Sequence, residues 1–203
     1  MKELFEKYMQ ECPAIAILRG ITPAEVSEIC DRLFAAGIRL LEIPLNSPEP
    51  FESIALAAEH CAGRQLVGAG TVLTPEDVRK VRDAKGTFII SPNTDIEVIE
   101  ETKRLGLVSI PGFFTASEGF TALKAGADCL KLFPACLGPN YVKDLKAVIK
   151  APILAVGGVN PANIPDFMKV CAGVGIGSAL YKPGKTPEQL EKDARAIVAA
   201  VRS

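Results

Sequence analysis

The amino-acid sequence predicts an α/β fold, a compact (β/α)8 TIM barrel with an extra N-terminal helix, formed by residues 1–203 as a single domain. Its composition, 48% hydrophobic and 23% charged, is typical of globular proteins and excludes a disordered or fibrous chain. Eight short apolar runs recur at regular intervals, and segments with helical period separate them. Barrels of this class extend down to about 200 residues, so the loops of this one must be short.

The apolar runs are the expected strands. They cover residues 14–18, 40–45, 66–70, 88–91, 108–111, 129–133, 153–156 and 173–177. Their first residues are 20 to 26 positions apart, which is the length of one strand plus one helix. A doubly wound open sheet is the alternative, but eight evenly spaced units favour a closed barrel.

The expected helices begin at recognisable caps. TPAE at 22–25, TPED at 74–77 and TPEQ at 186–189 each combine an N-cap threonine, a proline at the first helical position and an acidic first turn. Thr94-x-x-Glu97 and Thr115-x-x-Glu118 have the pattern of capping boxes.

An additional helix is expected before the first strand. Leu4, Phe5, Tyr8, Met9 and Cys12 recur with helical spacing, which predicts an amphipathic helix that packs against the barrel.

Charge and targeting signals restrict the possible partners. With 23 Lys and Arg against 24 Asp and Glu, the net charge is −1, so no overall basic field attracts nucleic acid or an anionic membrane. An anionic ligand must therefore be held by local groups. The N-terminal segment lacks the apolar region of a signal peptide, and no uncharged stretch can span a bilayer as a helix. We therefore expect a cytoplasmic protein.

Cysteine and histidine usage narrows the chemistry. The six cysteines form no C-x-x-C motif, lie in apolar segments and are expected to be buried free thiols. The single histidine, His60, excludes multi-histidine metal sites and any Ser-His-Asp triad that does not include it. We expect His60 at a helix C-terminus, where a cation-prone side chain is common.

Three charged residues interrupt the apolar pattern at strand ends. Arg19 follows the first strand, Glu42 lies in the second and Lys131 in the sixth, each on the face opposite its apolar neighbours. All three should point into the barrel near its C-terminal mouth, where catalytic groups of such barrels gather. An ion-pair network that stabilises the barrel is the alternative, but such a network has no need of the catalytic rim.

These residue types suit one kind of chemistry. A lysine in an apolar pocket beside an arginine is biased towards the neutral amine, which can form a Schiff base with a carbonyl. Glu42 is the one evident carboxylate at the mouth that could move the protons such an adduct requires.

Glycines mark the ends of three strands. Gly157 and Gly158 end the seventh strand, and the segment 175–178 (Gly-Ile-Gly-Ser) ends the eighth, where backbone amides commonly bind a phosphate. In the turn 68–71 (Gly-Ala-Gly-Thr), backbone and hydroxyl can approach a ligand such as a carboxylate.

Several motifs together resemble one enzyme family, the 2-keto-3-deoxy-6-phosphogluconate (KDPG) and 4-hydroxy-2-oxoglutarate (KHG) aldolases. The motifs are ILRG (17–20), GIRLLEI (37–43), GAGTV (68–72), SPN (91–93), IPG (110–112), LKLFP (130–134) and GGV (157–159). The resemblance extends from about residue 14 to the C-terminal helix.

The resemblance implies a homotrimeric class I aldolase without a metal or other cofactor. Lys131 would form the Schiff base with the keto group, and Glu42 would shuttle protons. Arg19 and Thr71 would hold the pyruvate-derived part, Phe133 would line the pocket, and other residues would hold the rest of the substrate. The implied substrate-binding residues are Arg19, Thr71, Pro92, Phe133, Val156, Gly157, Gly158, Gly177 and Ser178. The products would be pyruvate and glyceraldehyde 3-phosphate.

Two departures from the gluconate-type pattern indicate a branch of this family. PLNSP (44–48) stands where Thr-Leu-Arg commonly follows the glutamate, and Val156 replaces the threonine of a Thr-Gly-Gly turn. Both departures, and ILRGITP at 17–23, resemble the 2-keto-3-deoxy-6-phosphogalactonate aldolase branch. Loss of the threonine hydroxyl removes a contact to one C4 epimer, so the galactonate epimer is expected. Cleavage of the gluconate epimer or of 4-hydroxy-2-oxoglutarate is the alternative.

A short loop and a pair of phenylalanines are expected to affect the shape of the pocket. The loop 135–138 (Ala-Cys-Leu-Gly) is one residue shorter than is usual in the family. Phe113 and Phe114 are expected to form a pocket wall, with core packing as the alternative.

Two more distant functions compete with the aldolase. A phosphosugar isomerase or epimerase would need an acid and a base but no nucleophilic lysine, and Lys131 argues against it. A non-catalytic phosphosugar-binding barrel would not need Arg19, Glu42, Thr71 and Lys131 together.

Overall fold

The structure is built around one parallel sheet of nine strands. The computed structural model describes residues 1–203. The strands are β1 (Ala14–Ile17), β2 (Leu40–Pro44), β3 (Leu66–Gly70), β4 (Phe88–Ile90), β5 (Val108–Ile110), β6 (Gly112–Phe113), β7 (Leu130–Leu132), β8 (Ile153–Val156) and β9 (Gly173–Ile176). Each predicted apolar run contains a strand, and every strand pair is parallel.

The ninth strand is one that the sequence did not predict, the short β6, which begins directly after the predicted fifth run ends at Pro111. The order β5-β4-β3-β2-β1-β9-β8-β7-β6 places β5 and β6 at opposite edges, although one residue separates them in the chain. The carbonyl of Ser109 accepts a hydrogen bond from the N–H of Asp128 (3.0 Å), and that of Pro111 accepts one from Lys131 (2.9 Å). These bonds join the two edges into a ring. The predicted barrel is therefore confirmed, and the open-sheet alternative is wrong.

Nine α-helices surround or cap the barrel. They are α1 (Lys2–Glu11), α2 (Val26–Ala36), α3 (Pro50–His60), α4 (Pro75–Asp83), α5 (Ile96–Arg104), α6 (Ala116–Lys124), α7 (Gly138–Val148), α8 (Ile164–Met168) and α9 (Pro187–Val201). None of them combines the length and the apolar character that crossing a bilayer requires. His60 ends α3, as predicted, and its ring lies 2.9 Å from Asp31.

Four of the five predicted N-caps are present, and in three of them the threonine hydroxyl accepts the expected hydrogen bond. The hydroxyl oxygens of Thr74, Thr115 and Thr186 accept hydrogen bonds from the N–H groups three residues ahead, at 3.1, 3.4 and 3.2 Å. Thr22 instead begins a short 3-10 turn (Pro23–Glu25) that leads into α2, and it donates its N–H and hydroxyl to the Glu25 carboxylate.

The capping box predicted at Thr94 is wrong. Asp95 caps α5 by accepting a hydrogen bond from the N–H of Val98 (3.1 Å). The Thr94 hydroxyl donates to the carbonyl of Gly112 (2.8 Å), so it contacts the neighbouring strand instead of its own helix. An aspartate directly after a threonine offers a competing N-cap, and this contact decides between them.

Two apolar layers hold the barrel together. A large cluster fills the space between the strands and the outer helices. A smaller cluster lies inside the barrel and comprises Phe5, Tyr8, Ile15, Leu40, Leu66, Phe88, Ile90, Val108, Ile110, Cys129 and Leu154. The inner cluster includes two residues of α1, so this helix closes one end of the barrel.

The predicted N-terminal helix is confirmed as α1, but its buried face is narrower than the sequence suggests. Phe5 and Tyr8 are buried, and the ring of Phe5 meets that of Phe88 edge-on at 5.5 Å. Cys12 is buried in the outer layer. Leu4 is 39% exposed, because it lies on the side of α1 that faces solvent.

The cysteines follow the prediction with one exception. All six are free thiols and five are buried. Cys136 is exposed, because it lies in the loop between β7 and α7 and not in the layer between strands and helices.

The packing of α1 yields a stability prediction. Phe5→Ala should lower the free energy of unfolding by about 3 kcal/mol, since it opens a cavity in the inner cluster. Leu4→Ala, on the exposed side of the same helix, should change it by less than about 0.5 kcal/mol. Urea unfolding followed by circular dichroism measures both. Equal losses in the two variants would show that α1 does not close the barrel.

Candidate active site

A cavity opens at the C-terminal ends of the strands. Its volume is about 450 Å³, and it is lined by Ile17, Arg19, Glu42, Lys131, Phe133, Val156, Gly157, Gly158, Val159, Asn160, Gly175, Gly177, Ser178, Ala179 and Lys182. Nine of the eleven predicted site residues lie among them. The two exceptions are Thr71 and Pro92.

A second cavity of about 440 Å³ lies at the other end of the barrel, beside α1. Its charged residues are occupied in ion pairs, since Lys2 lies 3.9 Å from Glu6 and 3.4 Å from Asp128. Asp128 also pairs with Lys103 at 2.6 Å. The cavity at the C-terminal end is the better candidate, because its buried charged groups have no such partners.

Strand alternation points two of the three charged residues, Glu42 and Lys131, inwards as predicted. Leu41 and Ile43 on either side of Glu42 belong to the outer apolar layer, and so do Leu130 and Leu132 on either side of Lys131. Glu42 pairs in register with Ile17 of β1 and Gly68 of β3, and Lys131 with Gly112 of β6 and Leu154 of β8. The two side chains therefore enter the lumen from different sides of the barrel.

Glu42 is a buried carboxyl group without a hydrogen-bond partner on one oxygen. It is 2% exposed, and its Oε2 atom accepts no hydrogen bond. Burial raises its pKa to about 7, although the positive charges of Lys131 and Arg19 act in the opposite direction. A Cβ atom at Gly70 would overlap Oε2, so the glycine makes room for the carboxyl group.

Lys131 is equally enclosed. It is 6% exposed, and its Nζ lies 4.7 Å from the centre of the Phe133 ring. Burial lowers its pKa; Glu42 acts against this shift, and Arg19 adds to it. Lys131 and Glu42 form no ion pair within 4.0 Å. The alternative of a stabilising ion-pair network in the lumen is therefore wrong.

These two groups together can perform covalent and proton-transfer chemistry. Lowering the pKa of Lys131 increases the fraction of its neutral amine, the form that attacks a carbonyl. A carboxyl group that titrates near pH 7 can both donate and accept a proton under the same conditions. No group of three or more His, Cys, Asp or Glu side chains is arranged to hold a metal ion.

Arg19, which was predicted to point inwards with them, instead lies at the rim of the cavity, because it stands two residues beyond the end of β1. Its side chain is exposed, and Nη1 donates a hydrogen bond to Oδ1 of Asn46 at 2.5 Å. Asn46 stands in the β2–α3 loop, and sequence reasoning did not single it out as a site residue. The available signal was its place two residues after the end of the strand that carries Glu42.

The glycine-rich turns after β8 and β9 present free donors. Gly157 and Gly158 have φ of +96° and +76°, a conformation that favours glycine. The N–H groups of Gly157, Gly158, Gly177 and Ser178 donate no hydrogen bond within the chain. Free N–H groups after these two strands can bind an anion.

Lys182 and Asn160 also line the cavity, and sequence reasoning missed both. The carbonyl of Gly177 accepts hydrogen bonds from the N–H groups of Leu180 and Tyr181, which makes a turn after β9. Lys182 directly follows this turn and is exposed. A cation a few residues after a glycine-serine turn was the available signal.

Thr71 and Pro92 lie outside the cavity lining. Thr71 directly follows β3 and has φ of +57°, an unusual conformation for a β-branched residue that costs of the order of 1–3 kcal/mol. Such strain clusters at functional sites. Pro92 follows β4 and is half-buried.

The predicted aromatic wall is wrong. Phe113 is buried in the outer layer, where it packs towards Gly119 of α6. Phe114 packs against Tyr141 with ring centres 5.6 Å apart. Both side chains therefore pack against outer helices, Phe113 against α6 and Phe114 against α7.

The short loop after β7 borders a neighbouring cavity of about 480 Å³. Ala135, Cys136 and Gly138 line it together with Gly157 and Gly158, which the two cavities share. The loop therefore lies beside the glycine turns and outside the cavity that contains Lys131.

Comparison with known proteins agrees with this geometry. The model of the family described as KDPG and KHG aldolase matches residues 5–198. The chain is 43% identical over 200 residues to the 2-dehydro-3-deoxy-6-phosphogalactonate aldolase of Escherichia coli (strain K12), covering 97% of this chain and 98% of that protein.

Two solved structures have the same fold. The structure described as native KDPGal is 44% identical, with a TM-score of 0.92 over 94% of each chain. A cube-shaped, highly porous protein cage designed by fusing symmetric oligomeric domains is 43% identical, with a TM-score of 0.93 over 95% of this chain and 73% of that one. The chain belongs to the KDPG and KHG aldolase family, whose members are lyases.

Proposed function

We propose that this protein is a class I aldolase that cleaves 2-dehydro-3-deoxy-6-phosphogalactonate into pyruvate and D-glyceraldehyde 3-phosphate. The observation that carries the proposal is the burial of Lys131 and Glu42 in one cavity without an ion pair between them. The relative with 43% identity is named for this substrate, which supports the choice of the galactonate epimer.

Imine formation begins at Lys131. The neutral Nζ attacks the C2 carbonyl of the substrate, and the resulting carbinolamine loses its hydroxyl group as water. Glu42 in its protonated form donates the proton that this water carries away. The product is an iminium ion that withdraws electrons from the neighbouring carbons.

Carbon–carbon cleavage then uses the other form of Glu42. Its carboxylate removes the proton of the C4 hydroxyl, the C3–C4 bond breaks, and the electron pair enters the iminium to give an enamine. Glyceraldehyde 3-phosphate leaves. Glu42 returns the proton to C3, and water hydrolyses the imine to release pyruvate and free Lys131. The sequence of steps uses no metal and no other cofactor.

The two ends of the substrate are assigned to separate groups. Arg19 binds the carboxylate, and Thr71 assists it from the turn after β3. The free N–H groups of the glycine turns, with the Ser178 hydroxyl, bind the phosphate. The positive charge of Lys182 favours the phosphate at the same end of the cavity.

Further substrate contacts come from the walls. Phe133, Val156, Gly157 and Gly158 line the cavity beside Lys131, and Val156 presents a methyl group where a threonine would present a hydroxyl. Pro92 supports the site from outside the lining.

The proposal also covers the domain organisation, oligomeric state and cellular location of the protein. Residues 1–203 form one domain, and the active protein is a cytoplasmic homotrimer that needs no nucleic acid or membrane. The designed cage assembled from symmetric oligomeric domains supports an oligomer, because one of its chains is 43% identical to this one.

Lys131 is tested by chemical trapping. Incubation with pyruvate and borohydride should add one reduced pyruvate to Lys131, found by mass spectrometry and peptide mapping. Lys131→Ala should abolish both trapping and cleavage while the circular dichroism spectrum stays unchanged. Lys182→Ala should still be trapped at Lys131. Normal cleavage by Lys131→Ala would disprove the imine mechanism.

Epimer choice is tested by turnover. The value of kcat/KM should be roughly tenfold or more higher for the galactonate epimer than for the gluconate epimer, the size expected for one contact at C4. Both phosphorylated acids can be assayed by coupled detection of pyruvate. Equal values would show that Val156 does not discriminate between them.

The titration of Glu42 predicts a pH-dependent stability. Its pKa is near 4.5 when unfolded and about 7 when folded, so between these values only the folded state keeps the proton. The free energy of unfolding therefore falls as pH rises through this window. Glu42→Gln lacks this loss, so its stability relative to the unmodified protein should rise by about 2–3 kcal/mol between pH 5 and pH 8.

Urea unfolding at the two pH values measures this difference. Glu101→Gln is the control, because its ion pairs with Arg104 and Arg79 hold the pKa of Glu101 at about 2, below the window. Its relative stability should not change between pH 5 and pH 8. An unchanged difference for Glu42→Gln would mean that Glu42 is not buried in the folded protein.

A further inference from the structure

The side chain of Arg19 is held by one neighbour. Its Nη1 donates to Oδ1 of Asn46 at 2.5 Å, and it forms no other side-chain hydrogen bond. Both residues are exposed at the rim of the cavity. An exposed arginine without a partner samples many rotamers, and it loses that freedom when a ligand orders it.

The backbone of Arg19 is held independently of this contact. The N–H of Gly20 donates to Oγ of Ser47 at 2.9 Å, and Ser47 is buried. Gly20 has φ of +86°, and Pro183 packs where its side chain would be. The loop after β1 therefore keeps its position without Asn46, whose effect is confined to the guanidinium group.

The hydrogen-bond partner of Arg19 is an uncharged amide, and this leaves the guanidinium group able to bind an anion. An amide oxygen is a neutral acceptor, so it fixes one guanidinium N–H while the positive charge remains uncompensated. Arg19 lies within 4.0 Å of no carboxylate. Four further N–H donors remain available, enough for bidentate binding of a carboxylate.

We infer that Asn46 is a positioning residue that holds Arg19 ready to receive the carboxylate of the 2-keto acid. The inference rests on the proposed function, in which Arg19 binds that carboxylate. A neutral partner orients the guanidinium, whereas an acidic partner would orient it and cancel its charge.

The test is a titration of borohydride trapping on Lys131. Pyruvate is the carboxylate probe, and hydroxyacetone is a neutral ketone that forms an imine without needing Arg19. Asn46→Ala should raise the half-saturating pyruvate concentration about three- to tenfold, the range for ordering one side chain, with the maximal trapping rate within about twofold. Trapping of hydroxyacetone should be unchanged.

Asn46→Asp distinguishes orientation from charge. This nearly isosteric variant keeps the hydrogen-bond acceptor but adds a negative charge beside Arg19. The half-saturating pyruvate concentration should rise at least as much as in Asn46→Ala, since the carboxylate of Asp competes with that of pyruvate. Asn140→Ala, an exposed asparagine of α7 outside the cavity, is the matched control and should behave as the unmodified protein.

A double-mutant cycle separates positioning from general loop damage. In an Arg19→Ala background, Asn46→Ala should change pyruvate binding by less than about twofold, because the group it positions is gone. A multiplicative loss in the double variant would overturn the inference. An unchanged pyruvate titration in Asn46→Ala would overturn it as well.

The outcomes also separate this inference from the proposed function. If pyruvate is trapped normally on Lys131 of the unmodified protein but Asn46 has no effect, the inference alone fails. If the unmodified protein traps neither pyruvate nor hydroxyacetone on Lys131, the imine mechanism fails and the inference fails with it.

Discussion

The rest of the site depends on one constraint: Glu42 and Lys131, which can carry opposite charges, are buried in the same cavity without contacting each other. Glu42 and Lys131 are both almost fully buried, and they share a cavity without an ion pair within 4.0 Å. A direct ion pair would stabilise both charged forms and remove the neutral amine. Burial without such a pair has the opposite effect, since desolvation raises the pKa of Glu42 to about 7 and lowers that of Lys131. Burial therefore favours the neutral form of both groups, and Glu42 can change its protonation state near neutral pH.

The barrel supports this arrangement by separating stability from chemistry. Inside, apolar side chains fill the lumen up to the level of Glu42 and Lys131, and α1 closes the N-terminal end with Phe5 and Tyr8. The C-terminal end is left to loops and free backbone donors. Gly70 is a strand residue that also serves the active site, because the absence of a side chain there provides the space that the Glu42 carboxyl group occupies. The rigid strands therefore fix the reacting groups, while the surrounding loops determine what can reach them.

The sequence was sufficient to predict the position of a side chain where the local hydrophobic pattern agrees with the overall fold. Alternation in the strands placed Glu42 and Lys131 in the lumen, because each is flanked by apolar residues that must face the helices. Predictions from the local sequence pattern were wrong where a contact with a residue distant in the chain determines the position of a side chain. The hydroxyl of Thr94 donates to the carbonyl of Gly112, so Asp95 caps α5, and Phe113 packs against α6 in the outer layer instead of lining the pocket. Asn46 and Lys182 lie in loops beyond strand ends, where the sequence gives only a weak signal, and the fold determines which of these loop side chains reach the cavity.

The distribution of charge around the cavity is consistent with a ligand that is anionic at both ends. Glu42 is the one acidic residue in the lining, and a pKa of about 7 leaves it partly neutral at physiological pH. Arg19 keeps an uncompensated charge because its partner Asn46 is an amide, and Lys182 and the free N–H groups lie beside the glycine turns. A single cation paired to an acid would bind one anion weakly, because the acid competes for the same donors. The uncharged amide of Asn46 orients Arg19 at one end of the cavity, and backbone N–H groups serve as donors at the other end, so no acid competes with the ligand. A chain with a net charge of −1 can therefore attract a polyanionic ligand locally.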